Sequence, residues 1–351
     1  MRSGRKMPSD RPKGNGMREI AVPGIDIRIP VIGFGCSSLA ALGRKHALQL
    51  LGTAFDAGAR HFDVARYYGY GEAEGLLGKF VKSRRAEVTI TTKFGIDPPR
   101  RSNALRLAMQ AGRKLAQLVP AARGVLRRRA QGMVTRGGFS ARDAQRSLET
   151  SLRELGTDYI DFFLLHEYSA GEDTPHELIA FLRNAASAGK IRYFGLGTQI
   201  EHILRALECQ PELCRIAQFE NSVLHRNLEK LPPSDPRFLP ITHGSLGESY
   251  RTISARLKAH SRMQPIWSDA LGVDCSRNEI VSSLMLNYAV QANPNGLVLF
   301  SSKSAARVRE NIRAVLEPEL SAAQVDLFGQ LVKRDVMPAN PSGTEEKPQA
   351  N

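Results

Sequence analysis

Four side chains capable of acid–base chemistry stand where short apolar runs end. The stretch FDVARYYGYGE places Asp63 five residues ahead of Tyr68, with Tyr67 and Tyr70 beside it. TITTKFG ends on Lys93 and IDFFLLHE ends on His166. Singly, each has a structural reading: a lysine facing water, an aspartate capping the next helix, a histidine hydrogen-bonded in a core. Packing gives little reason for all of them on three successive runs. Together they suit proton transfer to a carbonyl oxygen. A phenol with a pKa near 10 is a poor proton donor and acceptor near neutrality. Lowering it by about 2–3 units needs about 3–4 kcal/mol. One ammonium ~4 Å away supplies up to about 4 kcal/mol at an effective dielectric near 20. Lys93 is the expected source, with Asp63 keeping it charged and oriented. His166 is expected to position the carbonyl and share in stabilising the alkoxide. The four cysteines, Cys36, Cys209, Cys214 and Cys275, show no metal-ligand spacing, so no metal is expected.

These groups meet only if the runs that carry them are neighbouring parallel strands. Eight short, often β-branched runs occur, at 31–35, 61–65, 88–94, 159–166, 191–197, 216–221, 239–243 and 297–301. Helix-like stretches with apolar residues three and four apart lie between several of them, most clearly at 47–57, 144–155, 175–188, 279–290 and 305–316. Strand-then-helix repetition predicts an α/β fold with parallel strands. An open doubly wound sheet would show the same periodicity. The polar residues at strand ends favour a single (β/α)₈ TIM barrel, whose strand C-termini converge on one catalytic face.

The net charge of +14 is unevenly spread. Residues 1–19 hold six Lys/Arg and two acids, and residues 97–139 hold ten Lys/Arg and one acid, leaving the remainder almost neutral. The expected organisation is a flexible basic arm at 1–18 and a barrel at 19–335, followed by a disordered Pro/Ser/Gly/Glu-rich tail at 336–351. The segment 97–139 reads as a basic insertion between the third strand and the helix that follows. Nucleic acid is not expected, because Arg127-Arg128-Arg129 has no interleaved aromatics. Such an insertion fits an anionic substrate, an acidic partner or a membrane surface, and equally a solvated excursion with none of these roles. No stretch reaches the ~20 apolar residues of a membrane span, and the N-terminus lacks the apolar core of a signal peptide. A cytoplasmic location is expected.

The sequence resembles the aldo-keto reductase superfamily over about residues 28–318, the insertion excepted. FDVARYYGYGEAE resembles that family's Asp-x-Ala-x-x-Tyr-Gly-x-x-Glu signature, TTKFG its lysine strand, and SLRELGTDYIDFFLLHE the helix and strand leading to its histidine. The family's acid lies five residues after its aspartate, which selects Tyr68 over Tyr67 and Tyr70. The resemblance implies an oxidoreductase with NADPH as cofactor, NADH being an alternative. Hydride would pass from nicotinamide C4 to an aldehyde or ketone, or in the reverse direction, with Tyr68 as general acid. It further implies that Gln218 and Thr198 contact the nicotinamide carboxamide and that His243 stacks on the nicotinamide. Ser301, Ser302, Lys303 and Arg307 would face the phosphates, and Glu310 and Asn311 the adenine. Gly197-Thr198 stands where the family has Ser-Asn, and His243 where it commonly has Tyr. The alternative function is a cofactor-binding regulatory or partner-binding protein on the same barrel, with little or no turnover.

Overall fold

The computed structural model describes residues 18–22, 24, 27–98, 135–136, 138–169, 175–232 and 238–337. The arm at 1–17, most of the basic insertion (99–134) and the tail from 338 lie outside the described residues.

Eight parallel strands close into a barrel in sequence order: β3 (Ile32–Gly35), β4 (His61–Asp63), β5 (Thr89–Phe94), β8 (Ile160–His166), β9 (Ile191–Gly197), β10 (Ile216–Glu220), β11 (Leu239–His243) and β12 (Leu297–Phe300), which pairs back to β3. The register aligns Gly35 with Asp63, Asp63 with Thr91, Lys93 with Leu164 and His166 with Gly197. These pairings set the C-terminal residues of consecutive strands side by side, as the sequence reading required.

Two further strands, β1 (Glu19–Ala21) and β2 (Arg28–Pro30), form an antiparallel hairpin ahead of the barrel. Its Ile20, Val22 and Ile29 pack with Ile216, Leu239 and Leu297, which open their strands. The hairpin therefore seals the end of the barrel opposite the catalytic face. A short pair, β6 (Ile96–Asp97) with β7 (Thr135–Arg136), joins the two ends of the insertion. That pair returns the chain to the barrel directly after the strand that carries Lys93.

The helices form where local chemistry starts and stops them. In α3 (Ala141–Leu155), Ser140 Oγ accepts from the Asp143 backbone N–H and left-handed Gly156 ends the helix. Its Ala144, Leu148 and Leu155 face the barrel. In α10 (Ala322–Asp335), Ser321 and Gln324 form a reciprocal capping box. The main apolar layer lies between barrel and helices, with Phe62, Ile90, Phe163 and Leu165 on the barrel side. Among the described residues, no helix is long and apolar enough to cross a membrane.

Candidate active site

Strand geometry explains why a lysine can be buried here. Successive side chains on β5 face opposite sides, so Lys93 enters the barrel while Thr92 faces the helix layer. Lys93 Nζ donates to Asp63 Oδ2 at 2.6 Å and to the Val64 carbonyl at 3.1 Å. Charge and hydrogen bonding thus offset its loss of water. Burial pushes the Asp63 carboxyl up, while Lys93 and a hydrogen bond from Gln218 act against that rise.

Tyr68 is held beside this pair by an unusual turn. Gly69, Tyr70 and Gly71 all adopt positive φ, at 57°, 59° and 85°. The turn passes so close to Ala40 that a Cβ on Gly69 would stand 2.1 Å from the Ala40 Cβ. It leaves Lys93 Nζ 5.2 Å from the centre of the Tyr68 ring. His166 reaches in from β8, its ring 6.3 Å from that of Tyr68 and 5.2 Å from that of Tyr67, centre to centre. Burial, then Lys93 and His243, hold the His166 imidazole well below its usual pKa. At neutral pH it is a neutral ring that can donate one N–H.

The phenol departs from expectation. Its pKa lies well above 10, raised first by burial and then by Asp63, Tyr67, Cys36 and Glu167. An ammonium ~4 Å from a phenol oxygen would favour the phenolate by up to about 4 kcal/mol at an effective dielectric near 20. Asp63 sits on that ammonium and opposes its field, and burial prevails. At neutral pH the Tyr68 phenol therefore keeps its proton.

All four groups line one cavity of about 470 Å³ at the strand C-termini. Thr198, Gln218, His243 and Ser301 line it too. Gln218 is buried, and its Oε1 has no hydrogen-bond partner among the described residues. Thr198 Oγ1 donates to the Tyr168 carbonyl at 2.9 Å. The His243 ring is exposed at the cleft surface, although the enclosing protein and Lys93 push its pKa down to about 4. Solvent entering the open cleft weakens the first of these effects.

The remaining candidates do not line the cavity. Ser302 and Lys303 follow β12, and Arg307, Glu310 and Asn311 lie on α9 (Ala305–Leu316). Lys303, Arg307 and Glu310 are exposed, whereas Asn311 is buried beside Val308 and Ile312. Ser304 caps α9, accepting from the Arg307 backbone N–H. Sequence reasoning missed Ser37, Glu220 and Phe300 as lining residues. Glu167 also lines the cavity, with a positive φ of 54° that no local pattern signals.

A family model described as the aldo/keto reductase family matches residues 31–231. An aryl-alcohol dehydrogenase of Pestalotiopsis microspora is 23% identical over 350 residues, covering 91% of this chain and 83% of its own. An NADP(+) aldo-keto reductase of Schizosaccharomyces pombe is 29% identical over 174 residues, covering 48% of this chain and 42% of its own. The match thus spans less than half of that relative's length. A solved aldo-keto reductase from Bacillus halodurans, in its holo form, superposes with a TM-score of 0.66 at 20% identity, over 90% of this chain and 96% of its own. Another, from Klebsiella pneumoniae in complex with NADPH, gives 0.62 at 22% identity, over 92% and 96% of the two chains.

Proposed function

This chain belongs to the aldo/keto reductase family, and on that premise we propose that it reduces an aldehyde or ketone to an alcohol with NADPH. The observation that carries this reading is the buried Lys93–Asp63 pair beneath Tyr68, with a neutral His166 facing the same cleft. A protonated phenol is the form that donates to a carbonyl oxygen, which favours reduction at neutral pH. His166 donates a second hydrogen bond to that oxygen and fixes its position. As the proton leaves Tyr68, Lys93 stabilises the phenolate.

The residues present fit the cofactor. Gln218 Oε1 is an unpartnered buried acceptor in the cleft, matching a carboxamide N–H. Its amide nitrogen is held by Asp63, so the oxygen has a fixed orientation. Thr198 lies on the adjoining strand end, and His243 offers a ring face of smaller area than tyrosine. Ser301, Ser302, Lys303 and Arg307 belong to the stretch that leads into α9 and to its first turn, where the helix dipole favours phosphate. Glu310 and Asn311 on that helix are assigned to the adenine. The cofactor supplies the hydride from nicotinamide C4.

The insertion's ten basic groups fit an anionic substrate or acidic partner, and β6 and β7 join its two ends directly after the strand that carries Lys93. Four free thiols fit a reducing, cytoplasmic setting. The test is a panel of carbonyl compounds followed by NADPH absorbance, with Tyr68→Phe and Tyr67→Phe variants beside the wild type. Turnover lost in the first variant and kept in the second supports the assignment. Equal turnover in the wild type and Tyr68→Phe refutes it.

A further inference from the structure

A fully buried carboxylate that the chemistry above does not use stands behind the barrel wall. Glu74 is the third residue of α2 (Glu72–Val81) and has no exposed surface. Its Oε1 accepts from Thr92 Oγ1 at 2.7 Å and its Oε2 from Arg66 Nη1 at 3.1 Å. Each partner adjoins a member of the site. Thr92 precedes Lys93 on β5, and Arg66 lies two residues before Tyr68 in the turn after β4. One carboxylate therefore ties the segment that carries the phenol to the strand that carries the ammonium. Glu74 touches neither reacting group, since Thr92 faces the helix layer and Lys93 the barrel interior.

Stability alone is a weak reason for this arrangement. A buried ion pair is commonly no more stabilising than well-packed apolar side chains of the same volume. What a three-way hydrogen-bonded connection adds is geometry. The turn it holds is otherwise permissive, with two glycines and Tyr70 in left-handed conformations. The Arg66 guanidinium is largely buried, and its Nε has no hydrogen-bond partner among the described residues. Glu74 is the partner that the structure gives this side chain.

We propose that Glu74 is a positioning residue for proton transfer. Its bonds to Arg66 and Thr92 fix the separation of the Tyr68 phenol from the Lys93 ammonium. This rests on the reading of Tyr68 as the proton donor. A wider separation weakens the ammonium's hold on the phenolate, so proton transfer slows while binding of substrate and cofactor is unaffected.

The test compares Glu74→Gln, Arg66→Met, Thr92→Val, Thr92→Ser and Tyr68→Phe in the full chain. Steady-state turnover, NADPH affinity by fluorescence, melting temperature and the pH profile of alcohol oxidation are read for each. Glu74→Gln and Arg66→Met are expected to lower kcat about ten-fold or more, with KM and NADPH Kd changed by less than about two-fold. Alcohol oxidation needs the phenolate, so its rising limb is expected to move to higher pH in both variants. Thr92→Ser keeps the hydroxyl and should keep wild-type turnover, whereas Thr92→Val should lower kcat with KM intact. That pair decides the matter if Glu74→Gln does not fold. Unchanged kcat and pH profile in Glu74→Gln and Thr92→Val, with only the melting temperature lowered, would overturn the proposal. If Tyr68→Phe is inactive while Glu74→Gln is intact, this inference alone fails. If Tyr68→Phe turns over normally, the donor assignment itself is wrong and the inference falls with it.

Discussion

Lys93 Nζ lies 2.6 Å from Asp63 Oδ2, and the two side chains are 2% and 4% exposed. The ammonium is thus half of a buried dipole rather than a free cation facing the phenol. Burial keeps Tyr68 protonated first and Asp63 second, and the pairing makes each of Lys93 and Asp63 dependent on the other.

Lys93→Met should be destabilising as well as inactive. It strands the Asp63 carboxylate in the barrel, which costs about 3–5 kcal/mol. Adding Asp63→Asn removes the stranded charge, so the double variant should recover most of the lost melting temperature and none of the turnover. Thermal denaturation of the two variants checks the first half and NADPH oxidation the second.

His166 should make stability fall on mild acidification. Its folded pKa lies well below 6.5, so between the two values the unfolded chain binds the extra proton. Stability therefore rises with pH across that window and is lost as pH falls from about 6.5. His243 acts in the same direction, its pKa being pushed down to about 4, with a smaller effect because water reaches its ring. Melting temperatures between about pH 7 and pH 5 should drop less steeply in His166→Asn than in the wild type.

The turn after Tyr68 should tolerate no side chain at Gly69. An added Cβ would lie 2.1 Å from the Ala40 Cβ, at a φ of 57°. Gly69→Ala is expected to cost about 1–3 kcal/mol and to lower kcat by displacing the phenol. Ala40→Gly in the same chain removes the clash and should restore part of both. Melting temperature and turnover of the single and double variants measure this.

On the proposed placement of the cofactor, Arg307 would pair with the adenosine 2′-phosphate, a group that NADH lacks. A charge-assisted hydrogen bond contributes about 1.5–3 kcal/mol, so Arg307→Ala should weaken NADPH binding by about ten-fold or more. NADH affinity should stay unchanged. Fluorescence titration with both nucleotides reports the difference, and equal weakening for the two would remove Arg307 from the 2′-phosphate site.

The barrel was legible because its strands are short β-branched runs that end on polar residues, as in TITTKFG and IDFFLLHE. Asp63, Lys93 and His166 could be placed together once those runs were taken as parallel neighbours. The hairpin that seals the barrel was not legible, since three-residue strands such as Glu19–Ala21 are too short to show a period. Glu74 also escaped notice, because Glu-Ala-Glu at a helix start looks like surface charge beside the dipole. The direction of the Tyr68 shift depends on where the carboxylate sits relative to ammonium and phenol. Residue types alone do not contain that geometry, and the opposing influence of burial and Asp63 emerged only with the fold.

Hydride transfer to a carbonyl in this cleft, with Tyr68 supplying the proton, is tested most directly by incubation with NADPH deuterated at the transferred C4 position and a panel of aldehydes and ketones, with the products read by mass spectrometry. The expected result is an alcohol carrying one deuterium on the former carbonyl carbon, formed by the wild type and lost in Tyr68→Phe although that variant still binds NADPH. Tight NADPH binding with no deuterated alcohol from any carbonyl would contradict it and favour a cofactor-binding role without turnover.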